Sequence, residues 1–200
     1  MTSSRLETFS DGVIAIVITI MVLELGVPHG TDFGAIRPLL PVFLAYALSF
    51  VNLGIYWNNH HHMLSTVDRV DGAILWANLH LLFWLSLFPF ATAWMGENDF
   101  ASLPVAAYGA VSLLAANAYY ILQRLIIRSQ GHGSPLAQAI GRDVKGKISP
   151  VLYLGGVAFA YPARWLSLAL YVIVALMWLI PDRRIEGAQA AQSNPLDSNN

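Results

Sequence analysis

The chain has 200 residues, of which 56% are hydrophobic and 12% charged, whereas soluble domains carry about 45–50% and about 25%. One soluble core of this size cannot hide so much apolar surface, so the composition excludes a soluble globular domain and fits a bilayer. The net charge of −1 and the lack of cysteine exclude a strongly basic nucleic-acid binder and all disulfide, thiolate-metal and cysteine-nucleophile chemistry.

Six segments are candidate spans, each needing about 20 largely apolar residues. The first covers residues 6–25. No small-residue cleavage site follows its apolar run, so it reads as a retained helix and not a signal peptide. The purely apolar part starts at Val13 and is too short to cross alone. The helix must therefore run back through Arg5, Glu7 and Asp11, which places charges at the membrane boundary. Such charges usually face the protein interior or water, and Arg5 and Asp11 have opposite signs suited to a network with other helices. The competing reading is the interfacial end of an ordinary helix. Within the helix, Ile16, Ile20 and Leu23 stand at i, i+4 and i+7 and share one face. Thr19 flanks that face and Gly12 continues it. Apolar residues surround the whole helix, and an aliphatic stripe taken alone is more often packing than a pore. Glu24 sits at the outer end, where repeated copies would form an acidic vestibule that concentrates cations.

The second span, residues 38–57, leads into Trp57-Asn58-Asn59-His60-His61-His62. Adjacent helical side chains point about 100° apart, so three successive histidines cannot converge on one metal. A zinc site would need ligands from elsewhere, and no His-Glu-x-x-His pattern is present. No metal site is expected. Polar packing is the main reading, with one or two of these histidines joining the Arg5–Asp11 network or titrating near neutrality. The third span, residues 72–95, holds Asn78 and His80, and the fourth, residues 103–127, holds Asn117. Polar side chains in lipid usually hydrogen-bond between helices; for His80 a place near a conduction path is the alternative. Residues 129–146 are rich in Gly, Ser and basic side chains and read as a linker. The fifth and sixth segments, residues 148–161 and 165–180, are short and flank the turn at 162–164. They form either a tight spanning hairpin or a stretch that dips partly into the bilayer. The six tryptophans mostly fall near span ends, as interface anchors do. The polar tail, residues 182–200, is expected to be disordered, leaving residues 1–181 as one six-helix transmembrane domain. With the N terminus inside, all basic residues but Arg37 and Arg164 fall on the cytoplasmic side, as the positive-inside bias requires. Both termini are then cytoplasmic, and the expected location is the cell (plasma) membrane.

The run Arg5-x-x-x-Phe9-Ser10-Asp11, followed directly by the apolar helix, resembles the signature of the transmembrane protein 175 family. That family comprises potassium-permeable channels of lysosomal membranes and bacterial relatives. The motif covers only the first helix, while the six-span plan extends the resemblance along the chain. The resemblance implies an all-α membrane fold and a homotetramer of the bacterial kind, with helix one of each copy lining a potassium-selective pore. It places the constriction at Ile16, further apolar rings at Ile20 and Leu23, and Thr19 beside the constriction. Arg5, Phe9, Ser10 and Asp11 form the motif network, in which Arg5, Ser10 and Asp11 tie the pore helix to its neighbours. The implied partners are further copies of the chain, membrane lipid and permeant potassium, with no cofactor and no nucleic acid. An isoleucine ring cannot replace an ion's water shell; it can only strip part of it or stay closed by dewetting. Potassium holds its water less tightly than sodium, so such a filter should be modestly selective. Two other readings stand beside the channel. A secondary transporter would show internal repeats or broken helices, and neither is evident. A membrane-embedded enzyme would need a nucleophile–base pair or a metal spacing, and none is defensible; the chain is not expected to be an enzyme.

Overall fold

Where the sequence alternates long apolar runs with short polar breaks, the chain forms helices joined by tight turns. The computed structural model describes residues 2–67, 70–131, 134, 136–137 and 144–179. Helix α1 is Ser3–Leu23, and the short α2, Phe33–Ile36, starts where the Asp32 carboxylate accepts the Ala35 N–H at 3.1 Å. A single 3-10 turn over Arg37–Leu39 feeds α3, Leu40–Ser65, which carries a proline in its first turn, where no helical N–H partner is lost. Asp71 caps α4, Gly72–Ser86, by accepting the Ile74 N–H at 2.8 Å. Helix α5, Phe88–Glu97, follows after Leu87 alone, because Pro89 has no N–H to continue the ladder. The two together form one interrupted span.

A turn with Asp99 and Phe100 at positive φ (49° and 55°) reverses the chain into α6, Ser102–Gln130. Gly131, at φ +87°, ends α6 with its N–H on the Ile127 carbonyl at 2.9 Å, a left-handed stop that glycine adopts without strain. Helices α7, Val144–Phe159, and α8, Arg164–Leu179, pack side by side as the expected hairpin.

Among the described residues, four stretches are long and apolar enough to cross a membrane: Ser3–Leu23, Phe33–Ser65, Gly72–Glu97 and Ser102–Gln130. α7 and α8 reach 16 residues each within the described residues, about 24 Å at 1.5 Å per residue. The second span differs most from its sequence expectation. It continues past Trp57 to Ser65 and takes the histidine run into its last turns, where His60 is buried against Asn78 of α4 while Asn58 and His61 stay exposed. Residues 182–200, expected to be a disordered tail, and half of the 129–146 linker lie outside the described residues.

Helix α6 lies at the centre, against α4, α5, α7 and α8, while α1 packs on α3, α4 and α5. The fully buried Tyr108 on α6 accepts hydrogen bonds from Ser49 (3.2 Å) and Asn52 (3.0 Å) on α3. Tyr171 on α8 donates its hydroxyl hydrogen to the Val105 carbonyl at 3.2 Å. Its ring fits only because Gly109 on α6 and Gly156 on α7 have no side chain. A Cβ on Gly156 would stand 2.9 Å from Tyr171 Cζ and closer still to Cε1. Small residues at helix crossings let backbones approach closely enough for dispersion to hold them without a hydrophobic driving force.

Candidate functional site

Helix α1 has two dissimilar faces. Leu6, Ser10, Ile14, Val17 and Met21 are buried against α3, α4 and α5. The opposite face is bare: Ile16 is 59%, Ile20 41% and Leu23 77% exposed, and Thr19 and Gly12 are exposed with them. At 1.5 Å per residue the three aliphatic side chains climb about 10 Å along the axis. The Thr19 hydroxyl points its hydrogen back to its own helix, with the Ala15 and Ile16 carbonyls both at 3.0 Å.

The buried face is held by a chain of hydrogen bonds among three fully buried side chains, Ser10, Asn78 and His60. Ser10 Oγ donates to the Leu6 carbonyl at 2.8 Å and accepts from Asn78 Nδ2 at 2.9 Å. His60 Nε2 lies 2.6 Å from Asn78 Oδ1. An amide oxygen only accepts, so Nε2 carries the hydrogen and the Nδ1 of the neutral ring is left an acceptor. Three helices are thereby joined at one point, each link worth about 0.6–2 kcal/mol between membrane helices. Nearer the N terminus, Ser3 Oγ donates to the Leu64 carbonyl (3.1 Å), and Glu7 Oε1 meets His61 Nδ1 at 2.6 Å. Asp11 is half-buried, and its Oδ1 has no hydrogen-bond partner among the described residues.

The expected site residues thus separate. Ser10 joins α3 and α4, whereas Arg5 and Phe9 are exposed on a single copy, and Arg5 forms no ion pair among the described residues. Of the histidine run, His60 joins the Ser10 chain and His61 reaches Glu7, while His61 and His62 rings touch edge to face. Asn78 bonds between helices as expected. His80 and Asn117 do not. Trp84 Nε1 donates to His80 within α4 (2.9 Å), and Asn117 donates to the Leu113 carbonyl one turn back (2.9 Å). Both side chains are exposed on one copy, so a partner one turn away on the same helix is the one within reach. Trp178, read as an interface anchor, donates to Ser149 on α7 at 2.8 Å. Glu24 caps the end of α1 and lines an open depression with Glu97, Phe90, Ala93 and Trp94. The sequence places Glu7 only as a boundary charge; its spacing of four from Asp11, which puts both carboxylates on one side of α1, is the signal that could have paired the two.

One helix of the bundle is thus anchored by buried polar bonds on one face and bare on the other, and the likeness of the whole chain to potassium channels sets it in the class of channel-fold membrane proteins. The chain matches the family described as "Endosomal/lysosomal potassium channel TMEM175" over residues 5–89. It is 55% identical to a potassium channel of Chryseobacterium sp. (strain P1-3), across 93% of this chain and 97% of that one. The crystal structure of a lysosomal potassium-selective channel TMEM175 homolog from Chamaesiphon minutus superposes with a TM-score of 0.75 at 29% identity, covering 90% of this chain and 97% of that one. The chain belongs to the TMEM175 family of potassium channels.

One expectation is corrected. The matching family is described by an endosomal/lysosomal membrane, and so is the human relative, an endosomal/lysosomal proton channel 34% identical over 37% of this chain and 17% of its own length. The membrane these descriptions name is endosomal/lysosomal, which overturns the plasma-membrane expectation. Hydropathy and loop charge report insertion and orientation; the hydrocarbon layers of different cellular membranes differ by only a few ångströms, so neither signal names the compartment.

Proposed function

We propose that the chain is a potassium-selective channel in which copies of α1 surround a common axis and present Ile16, Ile20 and Leu23 to permeating ions. The copy number is four, by resemblance to the bacterial members of the family. In this arrangement each copy contributes six spans, the α7–α8 hairpin supplying the last two, and the outer surface meets lipid. The observation that carries the reading is the division of α1. Ser10 turns inward and is hydrogen-bonded to α4, which fixes the helix in place, while the aliphatic stripe is left without a partner in its own copy. Arg5 and Phe9, exposed on a single copy, are then available to a neighbouring one, and Glu24 stands at the outer mouth.

Selectivity follows from dehydration at the narrowest apolar ring, assigned to Ile16. A ring without oxygen ligands charges each ion for the water it loses, and potassium releases water more readily than sodium. The test is ion flux in proteoliposomes under opposed potassium and sodium gradients. Potassium flux is expected from the unaltered chain. Ile16→Asn is expected to bring the reversal potential closer to the non-selective value; an unchanged potassium-to-sodium ratio would remove Ile16 from the filter.

A further inference from the structure

We propose that Glu7, Asp11 and His61 form a binding site for a divalent transition-metal cation of the zinc type, bridging the N-terminal turns of α1 to the end of α3. One ligand atom from each of the three lies within 4.8 Å of the other two. Glu7 and Asp11 stand four apart on one side of α1, and His61 comes from α3. The histidine run alone cannot make such a site, because its rings diverge; α1 supplies the missing donors.

Two observations distinguish this cluster from an ordinary surface ion pair. First, Asp11 Oδ1 is buried and has no hydrogen-bond partner among the described residues. A buried polar atom left bare costs about 1–3 kcal/mol, and more when charged, and a cation would satisfy it directly. Second, the charge does not balance. Two carboxylates face one imidazole, and no Lys or Arg pairs with Glu7 or Asp11 among the described residues. A divalent cation bound to a neutral imidazole and two carboxylates would close that account.

The geometry requires little movement. Zinc bonds of about 2.0–2.1 Å in a tetrahedral site set the ligand atoms roughly 3.3 Å apart. The Glu7 Oε1–His61 Nδ1 separation of 2.6 Å must open by about 0.7 Å, and no gap exceeds 4.8 Å, so none need close by more than about 1.5 Å, both within side-chain rotation. His61 is 47% exposed and Glu7 20%, which leaves an entry path and room for water as the fourth ligand. One nitrogen with two carboxylates suits Zn²⁺, Co²⁺ or Ni²⁺; Mg²⁺ and Ca²⁺ demand six or more oxygens, which the cluster does not offer. This inference stands apart from the conduction path, and its test reads metal occupancy.

Untagged, metal-stripped protein in detergent is titrated with Zn²⁺ by calorimetry and with Co²⁺ by visible absorption. Saturable binding of one equivalent per chain is expected, undisturbed by excess Mg²⁺. Glu7→Gln and His61→Gln are each expected to weaken it on the order of tenfold or more, and His62→Gln to leave it unchanged. No saturable binding by the unaltered chain, or equal affinity in both variants, overturns the site. Should the variants fail to fold, the cobalt spectrum of the unaltered chain decides. Intense visible bands of a four-coordinate ion support the site; the weak spectrum of hydrated cobalt refutes it.

Discussion

At the α1–α3–α4 junction, Ser10, Asn78 and His60 hold three helices through directional bonds. At the α6–α7–α8 junction, one ring, Tyr171, holds three helices by filling the space beside Gly109 and Gly156. In lipid both devices replace the hydrophobic drive that joins helices in water. They differ in what they fix. A hydrogen-bond chain sets the rotation of a helix about its axis, because a turn of one residue would carry Ser10 away from Asn78. A ring against glycines sets mainly the distance between helices, with single bonds from Tyr171 to the Val105 carbonyl and from Trp178 to Ser149 beside it. Rotation matters for α1, where the identity of the bare face is the functional question, whereas α7 and α8 need only close approach.

This contrast can be broken at either junction. The largest loss of stability is expected from Gly156→Val, which drives a branched side chain into Tyr171; overpacking of this kind costs about 1–3 kcal/mol and occasionally more. Thermal unfolding in detergent should show it, and adding Tyr171→Ala in the same chain should recover part of the loss. If the double variant is no better than the single one, Tyr171 is not the obstacle. Next in size, Asn78→Leu leaves the His60 N–H buried without an acceptor, for about 1–3 kcal/mol. Because it frees the rotation of α1, it should also alter potassium-to-sodium selectivity, which Gly156→Val in its surviving folded fraction should not. The smallest effect is expected away from both junctions. Glu24→Gln should lower single-channel conductance at low salt and leave it unchanged at high salt, where the Debye length falls to about 3 Å at 1 M. Equal conductance at low salt would dismiss the acidic vestibule.

Much of the fold could be read from the sequence, because spans announce themselves by length and apolarity. The α1, α6 and α4–α5 stretches fall within a few residues of expectation. The second span is read as ending at Trp57 because hydropathy falls from Asn58 onward, and the partners of His60 and His61 on α4 and α1 show only in three dimensions. The same limit explains the polar residues within spans. Asn78, His80 and Asn117 look alike in sequence, yet only Asn78 faces another helix, and the choice depends on helix rotation. Tyr171 and its two glycines lie 62 and 15 residues apart, and nothing local to any of the three marks the match. Within the candidate site, the motif gave Ser10 and Asp11, while Glu7 became visible once α3 was placed beside it.

The Thr19 hydroxyl carries a last consequence. Its hydrogen is committed to carbonyls of its own helix, so the oxygen can show only lone pairs to whatever approaches the bare face. In the proposed assembly a belt of such oxygens would welcome cations and turn away chloride without bearing any ionised group. The sign of the permeating charge would then be chosen by fixed dipoles, and that choice should persist unchanged as acidity varies.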